Sequence, residues 1–299
     1  LCISYAAPAQ FNNLVFKHLT RANGLPVDKV SCLAQDSSGF IWIGSNEGLF
    51  RYDGYNFKRI PLFNDDGEKI FSNSIAVLYV SRQGLVWAGT LWGGVVCLRP
   101  DGTVLNRYHS GNTKLASRDA DFVNDIKEDK NGSIWVTTIH GLYAVGQNRK
   151  TVKQYSWAKL LNKHKSMGQI TFDSTGKLWI GGSAGLTVFD PVKEQFYDAS
   201  GPPYNLHHFK GVNTFSALAL HQKNLWYATW APDIGRYDLR SGKSHVFYNG
   251  KGKPQPDFNR MANLFYADSK GALWVSTGNG LHLSAPGANG ISQSFYHDA

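Results

Sequence analysis

Six tryptophans recur along this chain at almost even spacing: Trp42, Trp87, Trp135, Trp179, Trp226 and Trp274, separated by 45, 48, 44, 47 and 48 residues. Each follows an apolar residue and opens a short strand-like run. The runs are Ile-Trp-Ile-Gly-Ser, Val-Trp-Ala-Gly-Thr, Ile-Trp-Val-Thr-Thr, Leu-Trp-Ile-Gly-Gly, Leu-Trp-Tyr-Ala-Thr and Leu-Trp-Val-Ser-Thr. A repeat of this length, built from several short strands, is the mark of a propeller blade.

The first repeat shows where four strands come from. Val30 to Gln35 reads as a strand and ends at Asp36. Asp36-Ser37-Ser38-Gly39 then turns, because Asp bonds its own backbone and Gly accepts the positive φ of a tight hairpin. Phe40 to Gly44 is the second strand, Ser45 to Gly48 a turn, Leu49 to Tyr52 the third strand, Asp53-Gly54 a turn, and Phe57 to Ile60 the fourth. The Asp-x-x-Gly turn recurs at Asp129–Gly132, Asp173–Gly176 and Asp268–Gly271, with Ser81–Gly84 a variant. Repeat five departs, with His221-Gln222-Lys223-Asn224 and one residue fewer before its Trp. A helical pattern is confined to Ser156–Lys165, read as a decorated loop. The architecture is all-β.

Repeat six has its own fourth strand near Ser294–Tyr296, so six complete four-stranded blades are predicted over residues 14–299. Val15 to Leu19 reads as a further strand of the fourth type, standing before blade one. Pairing the two ends of a propeller removes exposed edges, so this strand is expected to belong to a seventh blade continuing beyond Ala299. A six-bladed ring with a redundant strand is the other reading.

The opening residues resemble a known family. Phe16, Asn23-Gly24-Leu25-Pro26, Val30, Gln35-Asp36, Gly39-Phe40-Ile41-Trp42-Ile43-Gly44, Gly48-Leu49, Tyr52-Asp53-Gly54 and Phe57 are similar to the start of a two-component regulator propeller. The likeness extends to Tyr296 and is weaker in repeats three and five. It implies the extracytoplasmic sensor of a membrane-spanning signalling protein, whose kinase, cyclase or DNA-binding output lies elsewhere in the polypeptide.

The ends and the composition fit that setting. Residues 1–10 read as the tail of a secretory signal, with small residues at Ala7 and Ala9; Cys2 precedes the expected cleavage point. An exported, periplasmic location follows. No run of about 18 apolar residues is present. Cys32 and Cys97 are expected to be buried free thiols rather than a disulfide framework. The formal net charge is +9, but the basic residues are dispersed. That favours solubility or loose association with acidic surfaces over a nucleic-acid groove.

Of nine tryptophans, the six periodic ones are assigned to the wedges between blades. Trp92 and Trp230 instead fall in the turn after a second strand, as do Asn46, Glu47, His140, Asp233 and Asn279. Aromatic rings stack on apolar sugar faces while amides and carboxylates fix hydroxyls, so these seven form the candidate ligand-binding set. Capping of their own loops is the structural alternative. No nucleophile elbow, zinc helix, Cys-x-x-Cys or phosphate loop occurs. The Asp-x-x-Gly turns lack the alternating ligands of a calcium loop. No catalytic residue, metal or cofactor is therefore assigned, although His140 and His282 from separate blades are able to meet only in three dimensions. Two functions stand: a sensor of a carbohydrate or other small ligand, possible as a homodimer, or a secreted propeller lyase or hydrolase acting on glycans or lactone-like compounds.

Overall fold

Short β-branched and aromatic runs separated by turn residues fold, in the computed structural model, into six four-stranded antiparallel meanders set round a ring. The structure describes residues 16, 18–62, 73–108, 122–139, 141–155, 167–183, 185–212, 214–230, 233–249, 262–278, 280–288 and 290–296. Blade one comprises β1 (Val30–Gln35), β2 (Ile41–Ser45), β3 (Gly48–Tyr52) and β4 (Phe57–Ile60). Blade two comprises β5 (Ile75–Val80), β6 (Val86–Thr90), β7 (Val95–Leu98) and β8 (Val104–Tyr108). Blade three is β9 (Val123–Glu128), β10 (Ile134–Thr138), β11 (Leu142–Val145) and β12 (Val152–Tyr155). Blade four is β13 (Met167–Phe172), β14 (Leu178–Gly182), β15 (Gly185–Asp190) and β16 (Gln195–Asp198). Blade five is β17 (Phe215–His221), β18 (Asn224–Thr229), β19 (Asp233–Asp238) and β20 (Ser244–Asn249). Blade six is β21 (Ala262–Ala267), β22 (Leu273–Thr277), β23 (Gly280–Ser284) and β24 (Gln293–Tyr296). Among the described residues, helix is limited to two 3-10 turns, Arg21–Asn23 and His207–Phe209. The 156–165 segment and the signal-like residues 1–10 lie outside the described residues.

Five of the six periodic Trp side chains, Trp274 being the exception, fill the wedge between their own sheet and the next. Trp42 packs with Ile75 and Val86 of blade two, Trp135 with Met167 and Ile170 of blade four, and Trp226 with Ala262 and Phe265 of blade six. A fourth-strand aromatic stacks on several of these indoles, as in Trp87–Tyr108, Trp135–Tyr155 and Trp226–Phe247. The hairpin Asp holds the indole from the side. In four blades its Oδ2 accepts the Trp Nε1–H: Trp42–Asp36, Trp135–Asp129 and Trp179–Asp173 at 2.9 Å, Trp274–Asp268 at 3.0 Å. Its Oδ1 accepts two backbone N–H groups of the turn, as Asp36 does from Ser38 and Phe40. One carboxylate thus closes the hairpin and fixes the wedge, which accounts for the turn without a cation.

Glycine on the second strand sets how closely blades approach. A Cβ on Gly44 would stand 2.7 Å from Ile75 Cγ2, one on Gly89 2.5 Å from Val123 Cγ1, and one on Gly181 2.9 Å from Phe215 Cβ. Repeats three and five carry Thr137 and Ala228 at this position: Thr137 donates to the Gly168 carbonyl of blade four at 2.7 Å, and Ala228 packs in one cluster with Ala262 of blade six.

The seam between blades six and one differs from the other five. Inner strands of successive blades pack side by side from β1 and β5 through β17 and β21, whereas β21 and β1 lack comparable contact. Leu33 is 62% exposed, while its counterparts Ile126, Ile170, Leu218 and Phe265 are buried. On the opposite side of the seam Leu264 and Tyr266 are 51% and 60% exposed. Trp274, with no following sheet against it among the described residues, is only half-buried. The expected strand at residues 15–19 does not form at its described positions: Phe16, His18 and Leu19 are not in strand conformation. A fourth strand needs a third strand to pair with, and among the described residues none stands beside it; Phe16 instead rests edge-on against Phe295 at 5.1 Å.

Two outcomes follow from this packing. Gly89→Ala is expected to cost about 1–3 kcal/mol through overpacking, and a Val123→Ala background should remove most of that penalty in a double-mutant cycle; strictly additive effects would contradict the contact. Asp173→Ala is expected to cost about 1–3 kcal/mol at neutral pH by leaving the Trp179 N–H buried and unpaired. Burial pushes the Asp173 carboxyl up, but bonds from Thr175, Trp179 and the Lys177 and Thr175 N–H groups outweigh it and hold it below its usual value. A lowered folded pKa gives stability that is present above the ordinary carboxylate range and lost as pH falls through the folded value. The melting-temperature difference between wild type and Asp173→Ala should therefore shrink on acidification.

Candidate functional site

In an antiparallel meander the loop between second and third strands lies on the same face as the connection to the next blade, opposite the Asp-x-x-Gly turns. The candidate loops therefore share one face. They are held by a hydroxyl at the end of the second strand, three residues after the Trp. Ser45, Thr90, Thr138 and Thr277 side chains donate to the carbonyls of Gly48, Gly94, Gly141 and Gly280 at 3.0 to 3.3 Å. These hydroxyls are buried and three of them also accept from a loop N–H: Glu47 to Ser45, Gly93 to Thr90 and Gly141 to Thr138. The recurrence of Ser or Thr at this offset is legible in the sequence, although it was not among the signals used above.

Asn46 and Glu47 form the exposed tip of the blade-one loop. Glu47 carries an ion pair to Arg21 at 3.7 Å, and its carbonyl accepts from Arg59 Nη2 at 2.9 Å. Arg21 also bonds Asp28 through two of its three guanidinium nitrogens, Nε to Oδ1 and Nη2 to Oδ2, the latter at 2.8 Å. Next to this group a cleft of about 200 Å³ opens on the same face between Gly48, Arg59, Pro61, Leu62 and Asn73. Arg59 and Asn73 carried no periodic signal and were missed from the sequence.

Trp92 is 42% exposed and meets Phe122, at the entry to β9, edge-on at 5.4 Å. Trp230 is 65% exposed, and its backbone N–H donates to the Thr214 carbonyl at 3.3 Å. The two rings stand three blades apart, so the structure places them on one face without bringing them together. Asp233 begins β19, and its side chain lies outside the described residues, as do His140 and Asn279 altogether.

Described histidines do not converge. His282 is fully buried in β23, its Nε2 against Thr277 Oγ1 at 3.0 Å and its Nδ1 against Ser294 Oγ at 2.8 Å. It packs inside blade six rather than facing the channel. His208 Nε2 lies 2.7 Å from the Tyr227 hydroxyl. Among the described residues no group of three His, Cys, Asp or Glu side chains is placed to hold a metal ion. Cys32 and Cys97 are free, and burial pushes both thiols up to about 12, so neither is a nucleophile at neutral pH.

Comparison with known proteins agrees with the repeat and with its face-to-face organisation. The family model described as "Two component regulator propeller" matches residues 24–47 and 117–140. Histidine kinase P4 of Formosa agariphila is 38% identical over 56 residues, 19% of this chain and 4% of that protein. An extracellular domain assigned to a hybrid two-component system of B. thetaiotaomicron superposes with a TM-score of 0.67 at 24% identity, covering 87% of this chain and 33% of the other. A second such domain from B. thetaiotaomicron gives 0.65 at 20% identity, covering 92% and 34%. Virginiamycin B lyase of Staphylococcus aureus gives 0.65 at 18% identity, covering 89% and 84%. The chain thus spans about a third of the two-component structures it resembles and a small fraction of the curated kinase. The chain folds as a six-bladed β-propeller, two of whose repeats match the two-component regulator propeller model.

Proposed function

We propose that this propeller is the ligand-sensing part of the extracytoplasmic region of a membrane signalling receptor of the two-component type. The match of two of its repeats to the two-component regulator propeller carries the reading, and the similarity in fold to extracellular domains assigned to hybrid two-component systems supports it. The ligand is a carbohydrate or another small nutrient, met by the loops after the second strands. Trp92 and Trp230 offer flat apolar faces for sugar rings, with Asn46 and Glu47 as polar partners on the same face. Loops carried by rigid sheets suit this role, since the scaffold positions them while their sequences vary. Binding drives signalling only through a difference in affinity between two arrangements of the receptor, such as two packings of a homodimer in the periplasm.

A second reading, a secreted enzyme acting on glycans or lactone-like compounds, draws on one observation. Virginiamycin B lyase is a propeller of which the chain covers 84%, and a catalytically inactive histidine-to-alanine variant of it is known with quinupristin.

A thermal-shift screen against soluble oligosaccharides separates the two. The sensor reading expects an oligosaccharide to raise the melting temperature without being consumed. It also expects Trp92→Ala or Trp230→Ala to abolish that shift while changing basal stability by under about 0.5 kcal/mol, as for surface sites. Retention of the full shift in both variants would remove these rings from the site. Turnover of a glycan or lactone by the purified chain would favour the enzyme.

A further inference from the structure

Wherever one blade follows another in the ring, the same inner-strand positions meet the same partners. The first residue of each inner strand stands opposite the end of the second strand, as Ile75 does to Thr90 and Val123 to Thr138. Ile75, Val123, Met167, Phe215 and Ala262 hold this place in blades two to six, each 6% exposed or less. Each lies in one cluster with the wedge Trp of the preceding blade. The second residue adds a polar tie. Side chains of Ser31, Asn124 and Ser216 donate to the carbonyls of Ile75, Met167 and Ala262 in the next blade, at 2.7, 2.6 and 2.9 Å.

The boundary between blades six and one presents the same chemistry without the partner. Val30 holds the first position of blade one, opposite Ser45, and is 42% exposed. Leu33, three residues on, is open to solvent, whereas Ile126, Ile170, Leu218 and Phe265 at its place pack with a preceding Trp. From blade six, Leu264 and Tyr266 are exposed on the other wall. Trp274 is held by Asp268 as its counterparts are held, yet stays half-buried. Asn263 takes the place of Asn124 and Ser216 and is exposed, and its side-chain amide meets no carbonyl among the described residues. Both walls are open at once, so they do not cover each other. What covers them carries two apolar faces, each matched to one wall. A propeller blade has that form, because sheets stacked face to face in such a ring are apolar on both sides.

We propose that the boundary between blades six and one is an interaction surface for one further four-stranded blade of the same repeat, carried by the same polypeptide. The second-strand Trp of that blade packs on Val30 and Leu33, as Trp135 packs on Met167 and Ile170. The first residue of its inner strand covers Trp274, and the carbonyl of that residue accepts the Asn263 amide. The surface thus continues an interface already repeated round the ring, and seating the blade leaves no sheet face of the ring open. The inference concerns closure of the ring rather than its loops and stands independently of the sensor reading.

The test compares the intact polypeptide with the chain of residues 1–299. Leu33→Cys and Tyr266→Cys report the two walls by their rate of thiol alkylation, and Val192→Cys, on an exposed turn of blade four, is the control. Peptide fragmentation separates them from the native Cys32 and Cys97. In the 299-residue chain all three are expected to react alike. In the intact polypeptide the two wall cysteines should react at least about tenfold more slowly than the control, as burial under a seated element requires. A benzophenone amino acid placed at residue 266 of the intact polypeptide should, on irradiation, capture a peptide outside residues 1–299 that carries the apolar-Trp run or Asp-x-x-Gly turn of a repeat. Reaction of the wall cysteines at the control rate in the intact polypeptide would overturn the proposal. So would capture of a segment without the repeat, or of residues 1–299 themselves, which would make a second copy or blade one the occupant.

Discussion

Everything in this propeller depends on the indole placed between successive sheets. Four-stranded sheets splay apart toward the rim of a ring, and a large flat side chain on the second strand fills the widening gap. Trp42, Trp87, Trp135, Trp179 and Trp226 are buried there to 4% exposure or less. The wedge fixes the distance between blades, so second-strand Gly44, Gly89 and Gly181 are needed where the facing residue is Ile75, Val123 or Phe215. The Asp of the hairpin then ties the wedge to the turn with one carboxylate. Loop positions on the other face are set by this same arrangement, because the second strand that bears the Trp also ends in the hydroxyl that staples the loop.

Much of this was legible in the sequence because it is periodic. The spacing of the tryptophans located six blades, and the turn chemistry of Asp36 to Gly39 located the hairpins to within a residue: β2 runs from Ile41 to Ser45 where Phe40 to Gly44 was expected. The role of the Asp was only half visible. Its turn was read correctly, but its second oxygen, bound to an indole six residues on, is a three-dimensional fact that the constant offset merely hints at. Likewise Thr137 and Ala228, standing where other repeats have Gly, make contacts across a blade interface, to the Gly168 carbonyl and to Ala262, that the sequence does not display.

The site was less legible, for a physical reason. Strand alternation and turn position say which face a loop occupies, and the loops bearing Asn46, Glu47, Trp92 and Trp230 share one. Which side chains converge depends on the rotation between blades, and Trp92 and Trp230 stand three blades apart. Arg59 and Asn73, beside Glu47, belong to a strand end and a connector with no periodic constraint, so nothing marked them. The buried His282 shows the reverse error risk: a residue with metal-ligand chemistry that serves to bridge Thr277 and Ser294 within its own blade. The sixth Trp and the exposed Leu33, Leu264 and Tyr266 mark the one seam where the wedge has no second wall among the described residues.

The central claim is that rigid, wedge-locked blades present ligand-responsive loops on one face. Hydrogen exchange with and without a neutral oligosaccharide that raises the melting temperature tests it most directly. The account predicts new protection in the loops at residues 45–48, 90–94 and 229–230, with the strands and the turns at 36–39 and 173–176 unchanged. Protection confined to those turns or strands, with the loops exchanging as before, would contradict it.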